Sequence, residues 1–262
     1  MSLTLTYLGD LSRVRIAGGE LAADAVRVER SIDGGPWEPV RGGVSAAPAA
    51  GVIQLDDYEF GSDVTNAYRV VDVDDDAVLE SDSITPSLAG TVWLKHIRYP
   101  LLNRPVFRIL DRGQAFGRSA RGSLSHIAGR SLPVSTSDLA TSRGFPLTVQ
   151  ARDASDAAVL DLMLAAGGVL FVHVPPDLTD KVPGGYVRVA GSEQARRSTL
   201  ERWAFDLACT AVAPPSPRIV GTTLTWETVR RLYGSWNALW ASSSTWRDLW
   251  NEIGDPSDVV TL

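Results

Sequence analysis

The segment Ala25–Val40 reads AVRVERSIDGGPWEPV. Its first half alternates apolar and charged residues, the two-residue period of a half-buried strand. Asp33-Gly34-Gly35 is a turn signal, and Trp37 follows directly after it. The segment therefore predicts a β-hairpin. The same pattern extends to both sides. LTLTYL and RVRIAG precede it, and VIQLDDYEF, AYRVVDV and AVLESDSIT follow. Gly42-Gly43 and Asp74-Asp75-Asp76 punctuate these runs as turns. Strands at this density predict a small β-sandwich over residues 1–88.

Residues 10–88 resemble a fibronectin type III or related immunoglobulin-like module. AYRVVDVDDDAVLESDSITP matches its last hairpin, with Tyr68 near the start of the penultimate strand. Thr85–Gly90, TPSLAG, reads as a short linker. A second strand-rich stretch follows it: TVWLKHI, PVFRIL, GSLSHIAG and FPLTVQAR, then VLFVHV, YVRVAG and RWAFDLACTAV. Between them DASDAAVLDLMLAAGG is the strongest helix signal in the chain. Asp153 or Ser155 can cap it, Val159, Leu160, Met163 and Leu164 form its apolar stripe, and Gly167-Gly168 ends it. Residues 91–213 thus read as a β domain carrying one helix. The fold class is mainly β.

APPSPR, Ala213–Arg218, breaks this pattern and predicts a semi-rigid extended spacer that opens a third region, 214–262. In that region a hydroxyl residue precedes Trp three times, at Thr225-Trp226, Ser235-Trp236 and Thr245-Trp246, ten residues apart. Ser and Thr cap helix N-termini through the side-chain oxygen. Val229, Leu239 and Leu249 stand three residues after each Trp, and Trp240 and Trp250 add i, i+4 partners. The pattern predicts three short helices, each with one apolar stripe. Helices this short are marginal alone and need a surface to dock on. Trp226, Val229, Trp236, Leu239, Trp240, Trp246, Leu249 and Trp250 are accordingly the candidate partner-binding residues, docking either on their own chain or on another subunit.

Composition narrows the function classes. The net charge of −6 is unevenly spread: residues 1–90 hold 6 basic and 16 acidic residues, and residues 91–150 hold 9 and 2. The basic residues of the middle region are scattered rather than clustered, which favours contact with acidic protein surfaces over a nucleic-acid site. The start, MSLTLTYLGD, reads as no secretory signal, and no apolar run is long enough to cross a bilayer. The single Cys209 rules out an internal disulfide and reads as a buried small hydrophobe. Asp72–Asp76 departs from an EF-hand at its sixth and twelfth places, Ala77 and Ser83, and reads as a hairpin turn. His96, His126 and His173 are dispersed, and no nucleophile elbow or phosphate loop occurs. The expectation is a chain that is not an enzyme and has no cofactor or metal.

The order VWLKHIRYPLLNRPV, HIAGRSLPVSTSDLATSRGFPLTVQAR, the helix, GGVLFVHVPPD, GGYVRVAG and RWAFDLACTAVAPP resembles minor tail proteins of long-tailed phages that infect actinobacteria. The T/S-W-x-x-L repeat after a Pro-rich break resembles the C-termini of such proteins. The resemblance covers residues 91–262. It implies a tail-tube-like β-sandwich or split barrel with one packed helix, a place at the virion tail tip, and synthesis in the host cytoplasm. It further implies a homo-oligomeric ring, six-fold with three-fold as the alternative. The implied partners are other tail proteins: tail tube, hub and tape measure. The competing expectation is a cell-surface or polysaccharide-binding module, whose exposed aromatics would stack on a host glycan.

Overall fold

The computed structural model describes residues 3–110, 116–118, 122–128, 131–137, 139–140, 142–197, 202–219, 229, 233–243 and 245. The protein is mainly β. Its first seven strands form two antiparallel sheets. β1 (Thr4–Leu8), β2 (Arg13–Gly18) and β5 (Ile53–Asp57) pair in the order β1-β2-β5. β3 (Val26–Ile32), β4 (Glu38–Pro39), β6 (Asn66–Asp72) and β7 (Val78–Ile84) pair in the order β4-β3-β6-β7. Alternation decides which face is buried. Val14 and Ile16 of β2 point inward against Val26, Val28, Ile53, Tyr68 and Val70, while Arg15 points out to Asp56. Each fully buried apolar side chain of this kind contributes roughly 1.5–3 kcal/mol.

The β3–β4 turn is the one predicted. Asp33 and Gly34 both take positive φ, 50° and 72°, and Gly35 N–H donates to Ile32 O at 2.9 Å. That geometry suits an Asp-Gly pair. Pairing beyond it covers only Glu29↔Pro39 and Arg30↔Glu38, because Pro36 and Pro39 have no N–H to donate. A polar pin crosses the sandwich. Arg30 on β3 donates to both carboxylate oxygens of Asp57 on β5 at 2.7 Å, and Tyr68 Oη on β6 donates to Asp57 at 2.7 Å.

A seven-stranded sheet follows: β8 (Trp93–His96), β9 (Arg104–Pro105), β10 (Arg108–Leu110), β13 (Gly144–Gln150), β14 (Val169–His173), β15 (Gly185–Arg197) and β16 (Arg202–Ala211). Its order is β10-β13-β16-β15-β14-β8-β9. The two edge strands are therefore near neighbours in sequence. PVFRIL, expected as one strand, is split between them. Val106 N–H donates to Val92 O at 2.8 Å, and the next residue, Phe107, donates to Gln150 O at 3.1 Å. Consecutive residues thus reach opposite edges, and the sheet curls into a split barrel. A bulge between Val189 and Gly191 assists the bend.

One helix fills this curl. α1 (Ala154–Ala166) is capped by Asp153, whose side chain accepts from Asp156 N–H at 2.9 Å, and Gly167 closes it at φ 65°. Leu160 and Met163 are fully buried among Leu94, Leu147, Phe205 and Leu207. Cys209 lies in the same core, and burial pushes its thiol up to about 12.

β8 and β14 form the wall shared with the sandwich. Leu94, Leu170 and Val172 face the barrel core, while Trp93 packs in the sandwich core and His173 stands edge-on to Phe60. The segment read as a linker is packed as well. Leu88 is buried in the sandwich core and donates its N–H to Ser62 Oγ at 2.9 Å.

Candidate interaction surfaces

Lys95, His96 and His173 are sealed inside, whereas His126 is exposed. Lys95 on β8 is fully buried; Nζ donates to Ser12 O at 2.6 Å and Tyr58 O at 2.7 Å and lies 4.7 Å from the Phe60 ring centre. Burial pushes its proton affinity well down, against the carboxylates of Asp57 and Glu59. His173 is held down to about 2, first by burial and then by the charge of Lys95. His96 is held down by burial. Its Nδ1 accepts from the N–H groups of Arg98 and Tyr99, which leaves the proton on Nε2 to donate to Gly167 O at 2.7 Å. These groups tie backbone segments together. Lys95 was not singled out in the sequence, since an isolated Lys in a strand carries no local sign of its burial.

Asp72–Asp76 makes the β6–β7 turn. Asp72 and Asp75 side chains accept from Asp74 and Ala77 N–H, and Asp76 pairs with Arg27 at 2.9 Å. A half-open cleft of about 650 Å³ lies at the barrel seam, lined by Val92, Val106, Ile109, Phe116, Leu178 and Val182 among others.

Two groups of exposed apolar side chains lie outside both cores. The first is on an excursion between β10 and β13. Gly117 and Gly144 exchange two N–H···O bonds of 2.9 Å, and the Arg143 guanidinium sits 3.6 Å over the Phe116 ring. Beyond that base, β11 (Gly122–Ser125) and β12 (Val134–Ser137) form a two-stranded sheet of their own. β12 was not expected, because its run of Val, Ser and Thr carries too little apolar contrast. Leu124 is 64% exposed and Leu132 78%, and Ile127, Val134 and Leu139 also face out.

The second is in the C-terminal region. α2 (Trp236–Ser242) is capped as predicted by Ser235, whose side chain accepts from Ala238 N–H at 3.2 Å. Leu239 turns inward with Val229 and Tyr233 in a small cluster separate from both larger cores. Trp236 and Trp240, one turn apart on the same side of the helix, are 67% and 63% exposed. Of the expected stripe of Trp236, Leu239 and Trp240, only Leu239 is buried. Trp226, Trp246, Leu249 and Trp250 lie outside the described residues.

The spacer, expected as a semi-rigid extended segment, is held against the sandwich. Arg41 donates to Ser216 O at 2.7 Å while its Nε holds Glu59 at 2.9 Å, and Gly42 N–H donates to Pro217 O at 2.8 Å. The prolines supply free carbonyls in an extended segment, and the β4–β5 loop binds them. Among the described residues no helix is long and apolar enough to cross a membrane, and no group of three His, Cys, Asp or Glu converges on a metal position. The fold and surfaces define a β-sandwich joined to a split barrel, with apolar projections outside both cores. Comparison with protein-family models and with curated proteins gave no match.

Proposed function

We propose that this chain is a structural component of a phage tail tip, assembling with copies of itself into a ring that connects the tail tube to baseplate or receptor-binding parts. The observation that carries the proposal is the placement of exposed apolar side chains. Many of them occupy the β11–β12 hairpin and the helix α2, outside both cores, where a monomer gains nothing from them. A sandwich joined to a split barrel with one packed helix is also the fold that the tail-protein resemblance implies. The proposal assigns no reaction to the chain.

The glycan-binding alternative rests on Trp236 and Trp240, which stand one turn apart on one helix face as a sugar-stacking platform would require. Native mass separates the two. A tail component sediments as a closed oligomer and is found at the tail tip when particles are labelled with an antibody to this chain. A chain that stays monomeric at its highest soluble concentration, is missing from the particle and binds glycan with quenched Trp fluorescence would refute the ring.

A further inference from the structure

The hairpin β11–β12 needs a partner surface. An isolated two-stranded hairpin is marginal in water, and this one exposes Leu124, Ile127, Leu132 and Val134. Residues 116–143 carry four Arg against one Asp. The opposite character occurs on β7, the end strand of its sheet. Val73, Val78 and Leu79 are exposed there, Val78 by 53%. Residues 72–82 carry six acidic residues and no basic one. Asp72 is half-buried in the turn, Glu80 points inward and Asp76 is engaged by Arg27, which leaves Asp74, Asp75 and Asp82 facing solvent. An end strand also presents backbone N–H and C=O groups that a second strand can use.

We infer that the β11–β12 hairpin of one copy docks against the β7 edge of the sandwich in a second copy. The inference rests on the ring proposed above and names the two surfaces that build it. Apolar side chains meet apolar side chains, and a basic patch meets an acidic one, which fixes orientation. The two surfaces are both exposed within one chain, so this contact is not made in cis. They are also different patches, so the contact is head-to-tail. Such an interface closes into a ring when its rotation divides the circle. Hairpin-to-hairpin pairing is disfavoured because it would bring like charges together.

The test uses the full chain with Cys209→Ala and one further substitution, Leu79→Cys or Leu124→Cys. The two reduced proteins are exposed to oxidant separately and as an equimolar mixture. A disulfide needs Cα atoms within about 7 Å. The expected result is a 79–124 cross-link in the mixture, identified by mass spectrometry, and little cross-linking in either protein alone. Adding Asp74→Lys and Asp75→Lys to the Leu79→Cys protein should cut the yield several-fold, and so should high salt. All of these substitutions but Cys209→Ala, which keeps a small apolar side chain in the barrel core, are on the surface, and an unchanged circular dichroism spectrum verifies folding. A 124–124 cross-link as the main product, or a large native mass with no 79–124 bridge, overturns the docking inference and leaves the ring standing. A monomer in every condition overturns both.

Discussion

At the scale of single residues, the joint between sandwich and barrel is polar where a hydrophobic seam would be simpler. Lys95, His173 and the Asp57–Arg30–Tyr68 pin stand close together there. Nothing in WLKH or VLFVH announces this, because only the pairing of β8 with β14 brings them to the sandwich. One consequence is measurable. His173 has an ordinary value of 6.5 and is held down to about 2 in the folded chain. The unfolded chain therefore binds the extra proton first as pH falls. Its effect is absent above about pH 6.5 and grows as pH drops from there towards 2. Near pH 4.5 the loss is roughly 3 kcal/mol. His173→Phe keeps a ring beside Phe60 and removes the titration. Urea unfolding at neutral pH and at about pH 4.5 should show the acid penalty reduced by roughly that amount in the variant. An equal penalty in both proteins would show that His173 does not set it.

At the scale of elements, legibility followed local signals. α1 was readable from its cap, stripe and glycine stop because all three act within a few residues. The strands of the sandwich were readable from alternation. The split of PVFRIL was not, since Val106 and Phe107 change edges only when the far strands β13 and β8 are in place. The packing of TPSLAG was equally hidden, because Leu88 finds its site across the sandwich. α1 also supplies a graded test. Asp153→Ala removes the acceptor for Asp156 N–H and should cost about 1 kcal/mol. Leu160→Ala opens the barrel core and should cost roughly 2–5 kcal/mol. Denaturant midpoints should fall in that order. Equal losses would mean that the helix contributes little to the core beyond its end.

At the scale of the whole molecule, the described apolar residues of the C-terminal region that are buried form a cluster apart from both large cores. Val229, Tyr233 and Leu239 pack on one another, while Trp236 and Trp240 remain outside. The spacer that precedes them in sequence is fixed by Arg41 and Gly42 at Ser216 and Pro217, on the sandwich. The sequence carried the spacer's stiffness in its prolines but not its docking, which depends on a loop more than a hundred residues earlier. A chain ended after Ile219 therefore keeps the Arg41–Ser216 bond and every residue of both large cores. It should unfold cooperatively at nearly the midpoint of the full chain and fail to enter the tail particle. Interface aromatics are commonly hot spots worth 2 kcal/mol or more, so Trp236→Ala with Trp240→Ala in the full chain should weaken incorporation in the same direction. Unfolding of the shortened chain would place the Trp region in its own core. A shortened chain that folds and still incorporates would remove the Trp helices from the assembly interface and leave the hairpin to carry it.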